Sequence, residues 1–184
     1  MATTTDILKQ ESKRDSRSFS ILPETKILFL DFDGVCNSYS EGSYITHKDD
    51  DYGPSKTICK RIRKICESTG AKIIISSNWR RFEIDGKWFS GKKYYTNPLS
   101  KLYKEIGDLV VGTLTLERHI TKAEALCLWI EDNCELEKWV IVDDDPRENL
   151  GTTSDFGIKN HYIQTNPEFG ITEEISEEII RRLS

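Results

Sequence analysis

The 184-residue chain has no apolar run near the roughly 18 residues that a membrane span requires. Its first twenty residues, MATTTDILKQESKRDSRSFS, lack the apolar core of a secretory signal. Both absences lead us to expect a cytoplasmic protein with no membrane contact. There is no CxxC pair. Five cysteines (Cys36, Cys59, Cys66, Cys127, Cys134) are an odd number, and they read as reduced core thiols rather than as disulfides or a metal centre. His47, His119 and His161 have no metal-ligand spacing either. Nor is there an excess of positive charge. Lys and Arg number 26 against 31 Asp and Glu, a net charge of −5, so the chain as a whole is neither a nucleic-acid coat nor a basic membrane binder. That balance says nothing against one local basic patch. No repeat and no low-complexity block is present.

What is present alternates. Residues 1–25 are polar and weakly patterned, and read as a flexible tail ending near Pro23; residues 26–184 read as one domain. KILFLDF (26–32), AKIIIS (71–76), DLVVGT (108–113), WVIVDDD (139–145) and HYIQT (161–165) are short apolar runs of strand type. Between them lie helical patterns. Ser55 can cap a helix to about Thr69 that Gly70 stops, a helix follows Pro98, Thr121…Glu124 has capping-box spacing, and Thr172 opens the last helix. Strands alternating with helices predict an α/β fold, a three-layer α/β/α Rossmann-like arrangement with a central parallel sheet and helices on both faces. Ligands of such sheets bind beyond the carboxyl ends of the strands.

Three polar clusters fall at that rim: Asp31 and Asp33 after the first strand, Ser76-Ser77-Asn78 after the second, and Asp143-Asp144-Asp145 after the fourth. Converging aspartates repel one another, and a hard divalent cation such as Mg²⁺ removes the repulsion through carboxylate oxygens. Asp31, last on its strand, can act as a carboxylate nucleophile. Asp33, two residues on, can serve as general acid and then general base. Gly34 lets the chain turn and approach a ligand. Ser77 and Asn78 offer hydrogen bonds to a phosphate oxygen, and Lys122 in the first turn of a helix adds charge where anions bind. Together these are parts for phosphoryl transfer. The run Asp49-Asp50-Asp51 lacks calcium-loop spacing and reads as a solvated or capping loop.

DFDGV (31–35), a strand ending in Ser77, Lys122 at a helix start and VIVDDDP (140–146) resemble, in order, the four motifs of the haloacid dehalogenase (HAD) superfamily. The resemblance covers about residues 26–165. It implies a hydrolase of the phosphomonoesterase type, because Asp33 stands where phosphatases of the superfamily carry their second acid. It further implies Asp31 as nucleophile, an aspartyl-phosphate intermediate, and Mg²⁺ held by Asp31, the backbone carbonyl of Asp33 and Asp143, with Asp144 a water-mediated or outer ligand. Either Ser77 or Ser76 can be the phosphate donor; Ser77-Asn78 looks like the Thr-Asn pair of polynucleotide 3′-phosphatases. SSNWR, TKAEALCLWI and IVDDD look most like the subgroup found in RNA-repair proteins.

The gaps between motifs leave no room for a large cap domain, so a nearly capless, open site is expected. The segment WRRFEIDGKWFSGKKYYTN (79–97) interleaves Arg80, Arg81 and three lysines with Trp79 and five further aromatic residues. Basic residues steer phosphate backbones and aromatic rings stack on unpaired bases. Gly34, Asn78, Trp79, Arg80 and Arg81 are therefore the expected substrate contacts, and a nucleic-acid or nucleotide phosphate end the expected substrate. Alternatively, residues 79–96 form a two-stranded flap whose rings pack on the core. Two rival functions stay open: a phosphate-gripping module without turnover, and a protein phosphatase. The second is disfavoured because Gly34 and Val35, not Thr, follow Asp33.

Overall fold

The computed structural model describes residues 22–41, 52–82, 87–90, 93–96, 98–114, 120–147 and 157–184, with only the backbone of those between 81 and 96. Residues 1–21, His47, Asp49–Asp51 and His119 lie outside the described residues. Five parallel strands form the main sheet: β1 (Lys26–Leu30), β2 (Lys72–Ile75), β5 (Val110–Thr113), β6 (Lys138–Asp143) and β7 (Tyr162–Gln164), in the order β5-β2-β1-β6-β7. The helices are α1 (Lys56–Thr69), α2 (Pro98–Ile106), α3 (Lys122–Asp132), α4 (Ile158–His161) and α5 (Glu173–Leu183). No described helix is long and apolar enough to cross a membrane.

Strand periodicity sorts the core into two layers. Leu28, Leu30, Ile73, Ile75, Val140 and Val142 pack with Ile58 and Ile62 of α1, Leu99 and Leu102 of α2, and Ile179 and Leu183 of α5. Ile27, Phe29, Ile74, Trp139 and Ile141 face the other way, onto Ala125, Leu126 and Cys127 of α3 and Ile158 of α4. Alternate side chains of a strand point to opposite faces, so both faces of this sheet are apolar and both are covered. The Rossmann-like architecture expected from the sequence is the one observed.

The helix signals are also where the sequence puts them. Ser55 accepts from the amide of Ile58, Gly70 takes the left-handed φ of +77° that ends α1, and Thr121 and Glu124 form the reciprocal capping box of α3. The four cysteines at positions 36, 59, 66 and 127 are buried free thiols, and Cys134 is an exposed one.

The strand order reverses between β1 and β6, since the chain leaves β1 toward β2 and β5 and returns on the other side as β6. A crevice opens at such a switch point. Over residues 79–96, where a two-stranded flap is one expectation, the backbone makes a 3₁₀ turn (Asn78–Phe82) and an antiparallel hairpin of β3 (Lys87–Ser90) and β4 (Lys93–Thr96). Aromatic-rich KWFS and KYYT favour extended backbone. Helix α4 was missed because four residues carry no readable period.

Candidate active site

Leu30 pairs with Val142 across β1 and β6, and Leu30 with Ile75 across β1 and β2. The next residues continue that register: the amide of Asp31 donates to Val142 O at 3.1 Å, and the amide of Ser76 to Leu30 O at 2.9 Å. Asp31 thus stands between Ser76 and Asp143. By strand parity Asp31 follows Ile27 and Phe29, and Asp143 follows Trp139 and Ile141, so both emerge on the α3 face. Lys122 opens α3 on that same face. The capping box fixes this helix start, and Lys122 is 4% exposed rather than solvated. Its Nζ lies 2.6 Å from Asp143 Oδ2 and 3.4 Å from Asp31 Oδ1.

Asp144 completes the group. Carboxylate oxygens of Asp31, Asp143 and Asp144 all lie within 4.8 Å of one another. Burial pushes the Asp31 carboxyl up to about 7, with Lys122 pulling it down and Asp143 and Asp33 raising it. Asp144 is pushed up to about 6, first by burial and then by Asp143. Three hard oxygen donors, close together and largely out of water, fit a divalent cation of the Mg²⁺ or Mn²⁺ class. Asp145 turns away: its carboxylate pairs with Arg147 at 2.8 Å, which holds it below the usual range, while its amide donates to Asp143 Oδ1.

The turn after β1 is built tightly. Gly34 has φ +64°, and its amide donates to Asn37 Oδ1 at 2.8 Å. Its carbonyl accepts from Thr165 Oγ1 at 2.7 Å. Asp33 sits on this turn with its carboxylate held from three sides. Trp79 Nε1 donates to Oδ2 at 2.8 Å, Asn37 Nδ2 donates to Oδ1 at 3.3 Å, and the Tyr52 hydroxyl also donates to Oδ1. Tyr52 leans between Phe32 and Trp79, with ring centroids 6.0 and 5.8 Å away.

Among the expected substrate contacts, Trp79 is 9% exposed with its indole on Asp33. Arg80 is sealed at 1% exposure, and its Nη1 donates to the carbonyls of Ser76 and Ser77, both at 2.7 Å. That bond fixes the exit of β2. Asn78 is half-buried, and its Oδ1 lies 3.4 Å from the same Nη1. The Arg81 side chain is outside the described residues. Ser77 Oγ accepts from the amide of Trp79 at 3.3 Å and keeps its own hydrogen to donate. Ser76 Oγ is buried with no hydrogen-bond partner among the described residues. Tyr52 and Thr165 carry no signal in the sequence. Both act across 19 or more residues, and no local pattern marks such contacts.

A family model described as the HAD domain in Swiss Army Knife RNA repair proteins matches residues 27–175. The chain belongs to that family. The match begins on β1 and ends inside α5, so it takes in every strand of the main sheet and every group of the site. No curated protein and no solved structure matches the chain. Membership makes this a HAD domain and supports a phosphatase-type function; the superfamily generally works with a divalent metal, and here the acidic group able to hold one is present.

Proposed function

We propose that the chain is a Mg²⁺-dependent phosphomonoesterase that works through an aspartyl-phosphate on Asp31, and that it acts on a phosphate at the end of a nucleic acid or nucleotide. The observation that carries this reading is the position of Lys122 Nζ, within 3.4 Å of Asp31 and 2.6 Å of Asp143 in a buried three-carboxylate group. A cation held by Asp31, the Asp33 carbonyl, Asp143 and Asp144 would neutralise these acids and draw in a phosphoryl oxygen.

The residues divide the remaining work. Lys122 and the Ser76–Ser77 pair, with Asn78, orient the phosphoryl oxygens. A carboxylate oxygen of Asp31 attacks phosphorus, the bond from phosphorus to the leaving oxygen breaks, and its electron pair leaves with that oxygen. Asp33 supplies the proton that the leaving oxygen takes. Water then attacks the phosphorus of the aspartyl-phosphate, Asp33 takes its proton, and the bond to Asp31 breaks to restore the carboxylate. Trp79, Tyr52 and Asn37 keep Asp33 aimed through both steps.

The substrate class draws support from the family match to RNA-repair proteins and from the short insertions around the site. A panel of 3′- and 5′-phosphorylated oligonucleotides, nucleotides, sugar phosphates and phosphopeptides tests it. We expect Mg²⁺-dependent phosphate release, fastest from nucleic-acid or nucleotide ends and abolished by chelator. No release from any phosphomonoester by metal-loaded protein would contradict the reading.

A further inference from the structure

The loop leaving β1 and the turn following β7 are fastened together. The Tyr39 amide donates to Pro167 O at 3.1 Å, the Ser40 amide to Glu168 O at 3.0 Å, and the Ile171 amide to Val35 O at 3.1 Å. Inside the turn, the amides of Phe169 and Gly170 both donate to Asn166 O, at 2.9 and 2.8 Å. Gly170 has φ +61°, and a Cβ there would lie 2.6 Å from Ile58 Cδ1 and 2.8 Å from Val35 O. The backbone at positions 39 and 169 is therefore fixed.

The rings on that backbone remain outside the core. Tyr39 is 53% exposed and Phe169 is 51% exposed, and these are the two exposed aromatic side chains among the described residues. A single exposed apolar residue is ordinary. Here both exposed rings fall on two segments tied to each other and to the site. Asn37, whose amide side chain reaches Asp33 and Gly34, is two residues from Tyr39, at most about 7 Å along the chain. The charge of this rim narrows the occupant. Residues 36–41 and 166–170 contain Glu41 and Glu168 and no Lys or Arg, and the neighbouring Arg61 is engaged, donating to Ile171 O at 3.0 Å and pairing with Glu173 at 3.6 Å. Such a surface does not suit further phosphodiester backbone; it suits an uncharged, flat, aromatic group.

We propose that Tyr39 and Phe169 form a stacking platform for the nucleobase of the terminal nucleotide whose phosphate reaches Asp31. The proposal rests on the nucleotide-end reading above and adds a base-recognition site to it. Base stacking on aromatic side chains is tolerant of sequence, so the platform selects nucleotides over sugar phosphates without selecting among bases.

The test separates binding from turnover. In the full-length Asp31→Asn chain, which blocks hydrolysis, affinity is measured for oligonucleotides phosphorylated at either end. The terminal residue is either 2-aminopurine or abasic. The base-bearing strand should bind about 5- to 150-fold more tightly and its fluorescence should be quenched. Tyr39→Ala with Phe169→Ala should collapse the preference to about one, whereas Tyr39→Phe should keep it. Equal affinity for the two strands, or a preference that survives both alanines in protein with an unchanged melting temperature, overturns the platform. In parallel, kcat/KM of the wild-type chain toward a nucleotide and its base-free sugar phosphate reports on the phosphatase itself. Turnover of both at equal rates sinks the platform and leaves the phosphatase standing. Base-dependent binding without turnover does the reverse.

Discussion

Gly34 faces the Asp144 carboxyl so closely that a Cβ at position 34 would lie 2.7 Å from both its Cγ and its Oδ2. The left-handed φ of +64° makes the same demand from the backbone side. Gly34→Ala should therefore displace Asp144 and strain the turn by about 1–3 kcal/mol. We expect weaker Mg²⁺ binding, seen as a higher metal concentration for half-maximal activity, with only a modest change in melting temperature at saturating metal. A variant with unchanged metal dependence would separate Asp144 from the cation.

Lys122 is enclosed by carboxylates, and removing it leaves them without their cation. Lys122→Met should lower kcat/KM by about 10²–10³-fold. In metal-free protein it should also cost about 3–5 kcal/mol of stability, since an opened buried pair strands its charges. Mg²⁺ should restore most of the stability and little of the activity. Chemical denaturation with and without metal checks the first part, and steady-state kinetics the second.

The pH dependence of stability follows from the burial of these acids and, after it, their mutual repulsion. Asp31 is raised from 3.8 to about 7, and Asp144 to about 6. An acid whose value is raised on folding binds more protons in the folded state, so metal-free protein loses stability as pH climbs from the unfolded value of 3.8 through about 7. A cation takes the place of those protons. The rise in melting temperature on adding Mg²⁺ should therefore be larger at about pH 8 than at about pH 5. Comparing with and without metal at each pH cancels the surface carboxylates that titrate over the same range. An equal rise at both would contradict the prediction.

Trp79 and Tyr52 reach Asp33 from segments 46 and 19 residues away. If they aim the general acid, Trp79→Phe and Tyr52→Phe should slow alkyl phosphates, whose leaving oxygen needs a proton, more than aryl phosphates, whose leaving oxygen needs it less. A loss of about 10-fold or more on the alkyl substrate and several-fold less on the aryl one is expected. Equal losses would make both residues props for the fold alone.

Much of the site was readable in advance because each part lies at the end of an apolar run. Asp31 after KILFL, Ser76-Ser77 after KIII and Asp143 after WVIV mark strand ends, and parallel register brings them abreast. Thr121…Glu124 placed Lys122 on a helix start, though burial against two aspartates depends on which face α3 covers. What stayed hidden is tertiary. The inward turn of Arg80 onto the β2 exit left it looking like a surface base, and the bond from Thr165 to Gly34 joins residues 131 apart. The basic, aromatic stretch was legible as a two-stranded flap, and its backbone does pair as the β3–β4 hairpin.

The most direct measurement is a crystal structure grown with millimolar Mg²⁺ and a phosphoryl analogue such as beryllofluoride. One cation is expected among Asp31, the Asp33 carbonyl, Asp143 and Asp144, with the analogue attached to an Asp31 oxygen and contacted by Lys122. Carboxylates turned toward bulk water, with neither cation nor analogue between them, would contradict it.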